Sequence, residues 1–327
     1  MSIYIYAETA FHHEGSKEHL IKLIDEAKKA EVNGVKFQVL INIDEFMSPL
    51  HSAYQEAINW VLTLDEWKEV FQYTEKLNLD IVLMPLDSGA FELIKDFKIK
   101  FIEIHSVSFK DEVLLSKLSE YNIPLIFGIG GRTVEEIDSI VKKYKDVDIT
   151  LMVGFQSFPS QLEDIKLGRI KELSRAYPKC TIGYADHSSY EDDLAIVSNE
   201  YAYVLGARFF EKHITLNEGQ ERIDYQSAIN ADKIKAIKTR LDFLDKILNI
   251  DEKELFDMNE KEIKYRNRQK VPVAKSDMSL GKVVLKDMLT LKMIDTPSCI
   301  ETIDDIIGKK LNKNIPKNQV FFADDLI

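Results

Sequence analysis

The sequence predicts a closed (β/α)₈ barrel followed by a small β-rich domain. Short apolar runs alternate with amphipathic stretches eight times over about 250 residues, which is the pattern of a parallel barrel. Polar residues gather where the apolar runs end, while the run bodies are Ile, Val, Leu and Phe. After residue 249 the texture changes, first to a charge-dense stretch and then to short runs punctuated by turns.

Residues 3–7 (IYIYA) read as a buried strand. The helix after it carries Leu20, Leu23, Ile24, Ala27 and Ala30 at helical spacing, with Ser16 as N-cap. Next come a strand at 34–40, a loop to about 63, and a helix over LDEWKEVFQYTEKL. Strands at 80–86, 100–106, 123–130 and 148–155 precede helices over 88–97, 110–120, 133–144 and 162–177. The last two strands, 180–187 and 207–216, precede YEDDLAIVSNEYA and ADKIKAIKTRLDFLDKIL. A doubly wound open sheet is the alternative, but ETAFHHEG after the first strand lacks the G-x-G-x-x-G of a dinucleotide loop. The barrel is therefore assigned to 1–248, a linker to 249–267 and the small domain to 268–327.

The chain has 327 residues and a net charge of −12 with histidines neutral, which repels phosphate backbones and argues against nucleic acid. Cys180 and Cys299 offer neither a disulfide framework nor a metal pair. The opening residues lack a basic n-region, and no stretch reaches the ~20 apolar residues of a membrane span. The expected setting is the cytoplasm.

In such a barrel the chemistry projects from the C-terminal ends of the strands. Those ends supply Glu8, Lys36 with Gln38, Met84 to Asp87, His105 with Ser106, GIGGRT (128–133), Gln156, Asp186 with His187, and Glu211 to His213. His187 and His213 end adjacent strands, so their imidazoles can converge on a divalent metal, or stand as two ordinary histidines at a barrel mouth. Lys36 in an apolar strand needs an anionic partner, either a ligand or Glu8. GIGGRT can wrap an anion with backbone N–H groups at a helix start, with Arg132 adding charge. His12 and His13 read as solvent-facing loop residues, and His19 and His51 have no evident partner.

AETAFHHEGSKEHLIKLIDEAKKAEVNGVKFQ, GYADHSS and LGARFFEKHITL, in this order, resemble motifs of the N-acetylneuraminate (sialic acid) synthase family. VAKSDMSLGKVVLKDM and IGKKLNKNIPKNQ resemble its C-terminal antifreeze-like (SAF) domain. The resemblance implies a homodimer in which each SAF domain reaches over the partner's site. It implies condensation of phosphoenolpyruvate with an N-acetylated hexose to a 2-keto-3-deoxy acid, with phosphate released, for surface glycan biosynthesis. His187 and His213 would hold Mn²⁺ or Mg²⁺ that polarises the sugar aldehyde, while C3 of phosphoenolpyruvate attacks it and water captures the resulting oxocarbenium. Glu8 would handle the metal-bound water or the developing alkoxide, and Glu211 would orient the aldehyde. Lys36 would contact the phosphoenolpyruvate anion with Gln38 nearby. Ser106, Gln156 and Asp186 join them as substrate contacts.

Several positions depart from the family pattern. Glu103 stands where a lysine helps hold phosphoenolpyruvate, and Met84-Pro85-Leu86 lacks a hydroxyl before its proline. Gln156, Phe158 and Ala185 replace other polar contacts, and Lys292-Met293-Ile294 lacks the SAF arginine. Arg132, His105 and Lys212 are the candidate replacements for the lost cation. Two other readings follow: a metal-dependent aldolase or lyase using a different keto-acid donor, and a non-catalytic sugar-binding relative.

Overall fold

A computed structural model describes residues 3–154, 157, 159–249, 251, 255–296 and 298–327. Eight parallel strands close in chain order: β1 (Tyr4–Glu8), β2 (Gly34–Val39), β3 (Asp80–Pro85), β4 (Ile99–Ile104), β5 (Leu125–Gly128), β6 (Ile149–Val153), β7 (Thr181–Asp186) and β8 (Phe209–His213). β1 pairs with β8 to shut the barrel, which sets Glu8 opposite His213 and Tyr6 opposite Glu211.

Strand alternation sorts the side chains into two populations. Residues such as Ile5, Ala7, Val35, Phe37, Ile81 and Leu83 point outward and pack under the helices in one continuous core. The inward residues form layers. Tyr6, Val82, Phe101, Ile126, Met152 and Phe209 fill the barrel with apolar bulk, and the Tyr4 ring stacks on Phe209 at 5.1 Å. One step further along the strands the inward positions become Glu8, Lys36, Glu103, Glu211 and His213. Apolar layers below thus support a polar layer at the C-terminal face.

The outer helices are α1 (Lys17–Lys29), α2 (Leu64–Lys76), α3 (Glu112–Leu118), α4 (Val134–Lys143), α5 (Gly168–Ala176), α6 (Leu194–Val204) and α7 (Ala231–Leu248). Ser16 caps α1 by accepting from His19 N–H, and Thr63–Glu66 and Thr133–Glu136 form capping boxes on α2 and α4. Two stretches differ from the helices expected. Ser88–Lys95 is 3-10, where Gly89 lowers helix propensity and the Asp87 carboxylate holds the first turn through Gly89 N–H. The stretch expected as helix from 162 becomes α-helical only at Gly168, because Lys166 adopts φ +37°. The loop after β2 carries two single-turn helices, Ile43–Phe46 and Tyr54–Ala57. No helix among the described residues is long and apolar enough to cross a membrane.

The chain divides into two units, Met1–Asn249 and Ile250–Ile327. The second holds a helix, α8 (Glu260–Arg266), inside the stretch read from sequence as linker. It also holds an antiparallel pair, β9 (Lys270–Ala274) and β10 (Leu289–Met293), extended by isolated bridges such as Met278 to Ile315. Its own core is Ala274, Met278, Val284, Leu289, Ile306, Leu311, Ile315 and Phe321. Met293 is exposed at the end of β10.

Candidate active site

Inward residues at the strand ends enclose a cavity of about 180 Å³ at the barrel's C-terminal face. Its walls differ sharply. Strands β1, β2, β4 and β8, with the residue after β4, contribute Glu8, Lys36, Gln38, Glu103, His105, Glu211 and His213, whereas β5 to β7 and the residues directly after them contribute Gly128, Met152, Gly154, Ala185 and His187.

Lys36 is the hub. It is 3% exposed, and its ammonium pairs with three carboxylates: Glu8, Glu103 at 3.0 Å and Glu211 at 2.6 Å. Burial alone would strip its proton, but Glu103 and Glu211 more than offset that and hold its pKa above the ordinary value. Burial pushes Glu103 up, while Tyr6 donates to its second oxygen at 2.8 Å. Glu211 is also opposed by burial, yet Lys36 and His187 keep it below the usual carboxylate range. Glu8 accepts from Ala10 N–H (2.8 Å) and Gln38 Nε2 (3.1 Å) on the oxygen not facing Lys36.

Beside this hub, one nitrogen each from His187 and His213 and one oxygen from Glu211 lie within 4.8 Å of one another. Burial drives both imidazoles down, His187 to about 4, so they stay neutral at physiological pH while Glu211 stays ionised. Two neutral imidazoles and one carboxylate are the donor set of a divalent transition-metal site, so the residues present fit such an ion.

A family model described as the NeuB family matches residues 23–253. The chain belongs to the NeuB family. N-acetylneuraminate-9-phosphate synthase of Drosophila melanogaster is 30% identical over 255 residues, covering 73% of this chain and 67% of that protein. N,N'-diacetyllegionaminic acid synthase of Campylobacter jejuni is 24% identical over 334 residues, covering 97% and 98%. The crystal structure of an N-acetylneuraminic acid (sialic acid) synthetase from Leptospira borgpetersenii, in complex with citrate, shares the fold. It aligns at TM-score 0.70 and 24% identity, over 82% of this chain and 92% of that one. The two curated relatives are, by name, synthases of sugar acids.

Glu8, Lys36, Gln38, His105, Ser106, His187, Glu211 and His213, all named from the sequence, meet at the one cavity. Asp186 and Lys212 do not line it. Each sits one residue out of phase with the inward positions, and they pair with each other at 2.7 Å beneath α6, with Lys212 also donating to Ser188 O. Neither is a free cation or anion for a ligand. Arg132 lies over the Phe109 ring at 5.7 Å and lines a separate cleft of about 360 Å³ with Arg169, Leu173 and Tyr177. The GIGGRT turn therefore points its arginine outside the barrel mouth. Gln156 and Phe158 lie outside the described residues.

His12 and His13 correct the expectation of solvent-facing rings. Both are buried, His12 because the loop after β8 closes over it and His13 against the Trp67 ring at 6.0 Å. His12 Nδ1 bonds to Ile223 O and its Nε2 to Thr215 Oγ1, each at 2.9 Å. The His19 ring lies 5.7 Å from that of His12, and His51 accepts from Ala53 N–H.

Asp224 was not named from the sequence. It lies in the loop after β8 with φ +61° and lines the cavity. Burial pushes its carboxyl from 3.8 up to about 6. The folded pKa lies above the unfolded one, so its contribution to stability is full below about pH 4 and lost as pH rises through 6. Asp224→Asn is expected to remove that loss and to gain up to about 3 kcal/mol on the unaltered protein between pH 4 and 7. Urea titrations at both pH values check it. Parallel profiles for the two proteins would mean that the carboxyl is solvated.

Proposed function

We propose that the chain condenses phosphoenolpyruvate with the open-chain aldehyde of an aldose, an N-acetylated hexosamine foremost, to a 2-keto-3-deoxy acid with release of phosphate. The observation that carries this reading is the convergence of His187, Glu211 and His213 beside Glu8 at the mouth of a NeuB-family barrel. The names of the relatives, synthases of nine-carbon sugar acids, support the product class.

His187, Glu211 and His213 would hold a divalent ion, Mn²⁺ or Mg²⁺, which supplies Lewis acidity toward a carbonyl oxygen. Glu8 keeps a fixed orientation through Ala10 N–H and Gln38, positioned to take or return a proton at the aldehyde oxygen. Asp224 offers a second carboxyl that exchanges its proton near the working pH. The small residues Gly128, Gly154 and Ala185 on the cavity wall would leave space in which the two substrates meet. The product would enter a surface glycan. The second unit is proposed as the SAF domain of a domain-exchanged homodimer, which sedimentation of the full chain tests.

One observation favours a second reading with a different keto-acid donor. Lys36 is the one cation among the described residues lining the cavity, and three carboxylates already engage it. The deciding experiment loads the protein with Mn²⁺ or Mg²⁺ and supplies phosphoenolpyruvate or pyruvate with a panel of hexoses, N-acetylhexosamines and pentoses. Metal-dependent phosphate release with one sugar supports the first reading. Product from pyruvate alone selects the second, and ligand binding without turnover of either acid overturns both.

A further inference from the structure

An acid entering the cavity needs hydrogen-bond donors, and the charge layout removes the obvious one. Lys36 already serves Glu8, Glu103 and Glu211, and Asp224 adds a fourth carboxyl to the wall. Gln38 donates to Glu8. Arg132 and Lys212 are engaged elsewhere. The donors left facing the space must be neutral.

His105 is such a donor, and its tautomer follows from one bond. Val107 N–H, which can only donate, gives its hydrogen to His105 Nδ1 at 3.1 Å. Nδ1 is therefore the lone-pair nitrogen, and the ring proton resides on Nε2. This is the one hydrogen bond the ring makes among the described residues. The half-buried ring lines the cavity next to Ser106. Burial first, and Lys36 second, push its pKa down to about 4, so the imidazole does not become a cation at working pH.

Resting on the proposed condensation only for the identity of the acid, we propose that His105 donates its Nε2–H to the carboxylate of the three-carbon donor. A carboxylate brings a single charge, which a neutral N–H and the neighbouring Ser106 hydroxyl can satisfy. A phosphate dianion at the same place would meet four carboxyls and, among the described residues lining the cavity, no uncommitted cationic side chain. The inference assigns His105 to the group that pyruvate and phosphoenolpyruvate share and not to the phosphate. It holds for either donor.

Calorimetry on the full chain loaded with Mn²⁺ tests it, using pyruvate, phosphoenolpyruvate and inorganic phosphate as separate probes. His105→Phe, which keeps a ring but no N–H, is expected to weaken both acids by about ten- to a hundredfold while inorganic phosphate and Mn²⁺ bind as before. His105→Gln, with an amide N–H, should recover much of that loss. Nitrogen-15 spectra of the unaltered protein should show the neutral Nε2–H tautomer between about pH 5 and 8. That readout serves even if a variant fails to fold. An Nδ1–H tautomer, undiminished carboxylate binding in His105→Phe, or no binding of either acid by the unaltered protein would overturn the assignment. His105-dependent binding without turnover with any aldose would sink the condensation while leaving His105 in place. Undiminished turnover in His105→Phe would do the reverse.

Discussion

Lys36→Met is expected to destabilise the barrel by about 3–5 kcal/mol at neutral pH, the cost of breaking a buried ion cluster by removing one partner. The methionine matches the aliphatic stem, so packing is largely kept and the loss is electrostatic. Without the ammonium, Glu8, Glu103 and Glu211 converge at the cavity wall with little access to solvent, each 4% exposed or less. They relieve the strain by taking up protons, which raises their folded pKa values above those of the unfolded chain. A raised carboxylate pKa destabilises progressively as pH rises through it, so the gap between variant and parent should widen from about pH 5 to 8. Adding Glu103→Gln should narrow the gap, because one carboxylate is removed while the amide can still accept from Tyr6. Denaturation curves for the three proteins at two pH values decide it. A gap below about 1 kcal/mol, or one that ignores pH, would mean that water reaches the cluster and screens it.

Much of this cluster was legible in the sequence, and its gaps have physical causes. Period-two alternation put Lys36 and Gln38 on one side of β2, and the eight apolar runs ordered the strands, so the ends of β1 and β8 were expected to meet. Glu8, at the end of β1, is one of the two partners that the sequence offers Lys36, an anionic ligand being the other. Glu103 stands out in the sequence as an acid in place of the family's lysine, but nothing there announces its bond to Lys36. Those residues are 67 apart, on strands separated by β3, and they meet only because the barrel's curvature brings β2 and β4 together across its interior. Asp186 and Lys212 were read one residue out of phase, since a strand-end motif such as DH or EKH does not say which member faces inward until the register is fixed. Asp224 escaped because it is placed by a left-handed loop residue rather than by a repeat. The buried His12 and His13 escaped for a related reason. The cover of His12 comes from Thr215 and Ile223, some 200 residues downstream, and His13 lies against Trp67, on the helix after β2.

His213→Ala is expected to weaken Mn²⁺ binding by at least about 100-fold and to abolish metal-dependent turnover. His213 is the cleanest of the three ligand candidates to remove. Its imidazole is neutral, so the charge of the site is unchanged, whereas Glu211 also pairs with Lys36 and its loss would disturb both systems at once. Stability gives a readout independent of substrate. An ion that binds only the folded chain adds about 2.7 kcal/mol at a hundred times its dissociation constant, so Mn²⁺ should raise the melting temperature of the unaltered protein and leave that of the variant nearly unmoved. The metal-free variant should itself melt close to the metal-free parent or below it, since a buried imidazole exchanged for a methyl leaves a void. A variant that still gains stability from Mn²⁺ would place the ion elsewhere. The convergence of His187, Glu211 and His213 would then be a packing feature of the barrel mouth, and the chemistry would have to be built on the Lys36 cluster and Asp224 alone.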